Sequence, residues 1–107
     1  MNQSIRTEAG DFLFDAVLKL KTREECYAFF EDLCTVNELA SFSQRALVAY
    51  MLRKKNTYLE IAEKTGASTA TISRVNRALN YSTGGMKELM ERMDEKRGIA
   101  RPREDEE

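Results

Sequence analysis

A chain of 107 residues, 42% of them hydrophobic, has material for one small core: it is too short for two and too apolar to be disordered throughout. With no His, two Cys and no CxxC pair, zinc sites and His-based catalysis lack their residues, and the formal net charge of −1 gives no overall attraction to nucleic acid. One Pro, five Gly, a good supply of Leu, Ala, Glu, Lys and Arg, and no alternating apolar run predict an all-α protein.

The amino terminus, MNQSIRTEAGD, is polar, has no segment of signal-peptide type, and is expected to be flexible over residues 1–10. No apolar run approaches membrane-spanning length, so a cytoplasmic protein without a membrane partner is expected. From Asp11 the run DFLFDAVLKL is densely apolar and begins the folded domain, assigned to residues 11–97. Thr22 and Glu25 form a capping box that opens a second helix with the stripe Cys26, Phe29, Phe30 and Leu33. Cys26 and Cys34 read as buried, reduced thiols of a cytosolic core.

Thr35 and Glu38 repeat the capping device. Val36, Leu39, Ala40, Leu47, Tyr50 and Met51 then fall near one face of a helix that lasts to about Arg53 and is expected to be the longest. After RKKN, Thr57 and Glu60 start another helix in the same way. Gly84 and Gly85 break the chain, Met86, Leu89, Met90 and Met93 follow helical spacing, and GIARPREDEE, residues 98–107, reads as a disordered tail. Five or six helices are expected in all.

The stretch TYLEIAEKTGASTATISRVNRALNY carries a more specific pattern. Counting Tyr58 as first, Ile61 and Ala62 are fourth and fifth, Gly66 ninth, Ile72 fifteenth and Val75 eighteenth, the spacing of a helix-turn-helix over residues 57–80. Ala62 is small where the second helix crosses closely, and Gly66 can take the positive φ that ends the first helix sharply. Ile61, Ile72 and Val75 hold the two helices at a fixed angle. Ser68 is a good N-cap, which places Thr69, Ala70, Thr71, Ser73 and Arg74 on the first two turns of the helix that enters a major groove in this motif.

Those side chains suit that environment. Hydroxyls can meet base edges and phosphates, Ala70 and the Thr methyls can meet a thymine methyl, and Arg74 or Arg77 can pair with guanine or phosphate. Between Gln44 and Tyr81 the seven cations Arg45, Arg53, Lys54, Lys55, Lys64, Arg74 and Arg77 face only Glu60 and Glu63, a balance of +5, so the rest of the chain carries −6. The positive field is thus confined to the motif and to Arg53, Lys54 and Lys55 just before it, where phosphates would lie. Tyr58 is a further candidate phosphate contact; Tyr50, Tyr81 and the methionines read as packing residues.

The segment SQRALVAYMLRKKNTYLEIAEKTGASTATISRVNRALNY, with ECYAFFEDLCTVNEL before it, resembles the tryptophan repressor family, more closely its repressor-like subgroup in Gram-positive bacteria. The resemblance implies an intertwined homodimer whose two helix-turn-helix heads read successive major grooves of a palindromic operator in double-stranded DNA. It also implies a ligand site, because the namesake binds tryptophan between two arginines, matched here by Arg74 and by Arg45, with one residue of length difference in the following loop. Two positions depart from the tryptophan-binding pattern: Val75 stands in place of a glycine and Ala78 in place of a serine. A branched side chain in a tight pocket and a lost hydroxyl both act against tryptophan, so no cofactor or tryptophan corepressor is expected, and any small-molecule effector is unknown.

Three functions stay open at this level. The first is a sequence-specific DNA-binding repressor, the second a sensor with another corepressor between Arg45 and Arg74, and the third a helical protein-interaction module that uses the motif only for packing. No catalytic constellation is present, and an enzyme is not expected.

Overall fold

The computed structural model describes residues 6–100, with side chains as far as residue 94; the expected flexible residues 1–5 and the tail from residue 101 lie outside it. Six helices and no strand occur among the described residues: α1 (Glu8–Val17), α2 (Arg23–Leu33), α3 (Val36–Arg53), α4 (Tyr58–Thr65), α5 (Thr69–Tyr81) and α6 (Gly85–Ala100). The chain divides into two compact units, Met1–Leu39 and Ala40–Glu107, and the division falls inside α3.

Helix starts follow the hydroxyl residues. Thr22 Oγ1 accepts the Glu25 N–H at 3.0 Å, Thr35 Oγ1 the Glu38 N–H at 3.1 Å, and Thr57 Oγ1 the Glu60 N–H at 3.1 Å. The carboxylates of Glu38 and Glu60 reach back to the N–H of Thr35 and Thr57, at 2.8 Å each, which completes both boxes. Glu25 instead accepts from the Lys21 N–H, one residue earlier, so the expected box at α2 is half formed. The first helix begins at Glu8, three residues before the expected start, because Thr7 Oγ1 caps it by accepting the Gly10 N–H at 2.9 Å. At the other end α6 takes in Gly98–Ala100, which the sequence reading assigned to the tail.

In the first unit, the rings of Phe29 and Phe30 meet edge to face at 5.2 Å, but neither α1 nor α2 buries a residue. Phe12 is 75% exposed and Leu18 81%. The expectation of buried thiols is corrected here: Cys26 is exposed on α2, and Cys34, half-buried, is the residue that ends that helix.

The second unit contains the core: Val48, Ala49, Ile61, Ala67, Ile72, Val75 and Met90, flanked by Tyr50, Met51, Leu52, Ala62 and Met86. Helix α5 packs against both α4 and α6. The apolar face read along α3 needs correction, since Val48 and Ala49 are the buried pair while Val36 and Leu47 are exposed. The helix has two apolar stripes, one turned into this core and one left open, and a single periodic fit finds only one of them.

Candidate nucleic-acid interface

Two sharp helix ends set the position of the motif. At the first, the Asn56 N–H donates to the Met51 carbonyl at 3.1 Å and the Lys55 N–H to the Leu52 carbonyl at 3.0 Å, with Lys55 left-handed at φ 70°. This is a Schellman ending with a lysine where glycine is usual. The second is Gly66, left-handed at φ 75°, whose N–H closes on the Ala62 carbonyl at 2.8 Å. Two residues later Ser68 Oγ accepts the Thr71 N–H at 3.1 Å and starts α5.

Beneath the motif, Ile61 and Ile72 are wholly buried and Val75 is 2% exposed. The Gln44 side-chain amide of α3 donates to the Thr65 carbonyl at 3.1 Å, tying α3 to the last turn of α4. Thr65 is itself fixed, its hydroxyl donating to the Ile61 carbonyl and accepting the Ala67 N–H. The turn between α4 and α5 is therefore held by hydrogen bonds as well as by its glycine. Sequence reading did not single out Gln44, whose partner lies 21 residues away.

Outward from that scaffold, Tyr58, Ser68, Thr69, Ala70, Arg74 and Arg77 are exposed, and Thr71 and Ser73 half-buried. Ser68 has a structural task beside any contact it makes, because its hydroxyl both caps α5 and donates to Thr71 Oγ1 at 3.1 Å. Farther along α5 the Asn80 amide donates to the carbonyl and side-chain oxygens of Asn76.

The seven cations separate into two kinds. Lys55, Lys64, Arg74 and Arg77 make no ion pair among the described residues. Arg45 lies over the Phe42 ring, 5.4 Å from its centre, on the same helix. Arg53 and Lys54, by contrast, are held by carboxylates of α6: Lys54 Nζ lies 2.9 Å from Asp94, Arg53 3.4 Å from Asp94 and 3.8 Å from Glu91. The Tyr50 hydroxyl donates to the same Asp94 at 3.3 Å. The hydrogen bond from Lys54 holds the Asp94 carboxyl below the usual carboxylate range, and the same bond raises the Lys54 ammonium. No local sequence signal points to Asp94, which lies 40 residues from its lysine.

A glycine-ended helix, a serine-capped second helix and an exposed row of short polar side chains beside unpaired cations define a helix-turn-helix protein. Comparison with known proteins narrows the class. The family described as Trp repressor protein matches residues 8–94. YerC of Bacillus subtilis (strain 168) is 53% identical over 91 residues, with 85% of this chain and 88% of YerC covered. The Trp operon repressor homolog of Chlamydia caviae is 36% identical over 90 residues, covering 83% and 88% of the two chains. A crystal structure of a TrpR-like protein from Eubacterium eligens superposes with a TM-score of 0.80 at 55% identity, covering 92% of this chain and 97% of that one. The chain belongs to the Trp repressor family, and at the level of that family it is a DNA-binding transcriptional regulator.

Proposed function

We propose that the protein is a dimeric repressor that reads a palindromic operator through the major groove and needs no tryptophan to do so. The observation that carries this reading is the second helix of the motif: its first two turns present Thr69, Ala70 and Arg74 to solvent, while Ile72 and Val75 on the same turns are buried. Ser68 through Ser73 supply base contacts, with Arg74 and Arg77 on guanine or phosphate. Lys55, Lys64 and Tyr58 supply phosphate contacts beside the first helix of the motif, which crosses the DNA backbone in such complexes.

A second copy is the natural cover for α1 and α2, which bury nothing in the single chain although they carry Phe12, Phe14 and Leu18. Sedimentation equilibrium is expected to return twice the chain mass of 12.3 kDa; a monomer at micromolar concentration removes the dimer from the reading.

Independence from tryptophan rests on Val75. Its side chain fills space inside the core, where the tryptophan-binding pattern has a glycine, and Ala78 offers no hydroxyl. Arg45, the other arginine matched to that pattern, already lies against Phe42. Two measurements test the whole. Selection from sheared genomic DNA by the purified protein is expected to enrich a palindrome, with half-sites about one helical turn (~34 Å) apart, without added amino acids. Calorimetry with tryptophan is expected to show no saturable binding. Enrichment only with amino acids present moves a re-tuned sensor to the front, and no enrichment at all favours an interaction module.

Lys55 gives a test that separates folding from binding. A left-handed lysine costs about 1 kcal/mol that glycine does not, so Lys55→Gly is expected to raise stability by about that amount. The same change removes one cation per head, and the slope of log affinity against log salt falls by ~0.9 for each. A more stable variant with unchanged salt dependence takes Lys55 out of the contact set.

A further inference from the structure

Arg53, Lys54 and Lys55 end α3 directly before the motif, yet only Lys55 is without an ion pair among the described residues. One carboxylate, Asp94 of α6, gathers Tyr50, Arg53 and Lys54, and Lys54 also lies 6.0 Å from the centre of the Tyr50 ring. Phosphate oxygens take the same donors as a carboxylate, and arginine serves either best when two of its N–H groups engage in parallel. Arg53 is poorly served here. Its two contacts to acids are 3.4 and 3.8 Å long, to two different carboxylates, and its Nε is closed off from solvent with no partner.

We propose that Asp94 is an internal competitor of DNA phosphate: it occupies Arg53 and Lys54 beside the first helix of the motif and thereby limits the affinity of the head for DNA. The inference rests on the DNA-binding reading above. Lys54 is about half exposed and Arg53 about a third, so these ion pairs are weak enough for a polyanion to displace. Asp94 is also held ionised by its lysine through the neutral range, so the competitor is present wherever binding is measured. Exchange requires no unfolding of α6, only rotation of two long side chains away from one carboxylate.

The test is a salt titration of binding to a random-sequence duplex of about 30 base pairs. It compares the full chain with Asp94→Asn, Glu88→Gln, Lys54→Gln and the double variant Asp94→Asn/Lys54→Gln. Glu88 is the control for charge alone, because its only ion pair is to Arg92 on its own helix. Asp94→Asn is expected to bind several-fold tighter at ~0.1 M salt, with the slope steeper by about 1 to 2 per head as one or two cations join the contact set. Glu88→Gln is expected to change less, and the gain is expected to vanish where Lys54 is also replaced. Equal or weaker binding by Asp94→Asn, an equal gain in Glu88→Gln, or a gain that survives without Lys54 overturns the proposal while leaving the DNA-binding reading in place. Failure of both the unchanged chain and Asp94→Asn to bind duplex at any salt overturns both. Far-UV circular dichroism shows whether Asp94→Asn is folded; if it is not, Glu91→Gln, which removes only the 3.8 Å contact to Arg53, decides by the presence or absence of a smaller gain.

Discussion

Replacing Ile72 with Ala is expected to lower the unfolding free energy by about 3 kcal/mol, since a wholly buried isoleucine loses both its transfer energy and the packing around the space it leaves. For a chain of this size that amounts to a fall of roughly 12 to 24 °C in the melting temperature. Ile72 packs in the same core as Ile61 and Val75, so the variant loosens the scaffold under the recognition surface as well as the fold. Chemical denaturation followed by circular dichroism measures the first effect. A loss under about 1 kcal/mol would show that α5 is held on its neighbours by something other than this core.

The second large effect is on binding. Four unpaired cations per head, Lys55, Lys64, Arg74 and Arg77, make eight in a dimer, and a slope of log affinity against log salt near −7 follows. Raising monovalent salt from about 50 to 200 mM is then expected to weaken binding about ten-thousand-fold. With Arg53 and Lys54 also free the slope would lie nearer −11, and with one head engaged it would be about half of −7. Fluorescence anisotropy on a labelled duplex across that range distinguishes these cases, and affinity that is flat in salt removes the DNA-binding reading.

Much of this architecture was legible in the sequence where the determinants are local. A threonine followed three residues later by a glutamate announces a helix start, and Thr35 and Thr57 each behave that way because both hydrogen bonds of the box span three residues. Ile61, Gly66, Ile72 and Val75 were readable for the same reason: their spacing is a property of two helices and one turn. What the sequence concealed is long-range. Val48 and Ala49 lie between the residues of a second apolar stripe, and periodicity cannot say which stripe the core will take. The positive charge of Arg53 and Lys54 was plain, but their attachment to Asp94 depends on how α6 returns to α3. Residues 26 and 34 were misread because a cysteine is usually buried, whereas α2 has nothing in its own unit to be buried against.

That bare helix pair bears on how the protein comes into being. A unit in which neither helix buries a residue cannot offset the entropy lost when its backbone is ordered, so its ordering waits for the surface that covers it. With a second copy as that surface, folding of this half becomes a bimolecular event, its rate set by how often two chains meet. Dilution then depletes the folded form itself as well as the assembly, and chains that have not found each other stay open to proteases. The cellular supply of such a regulator would respond to its rate of synthesis more steeply than in proportion.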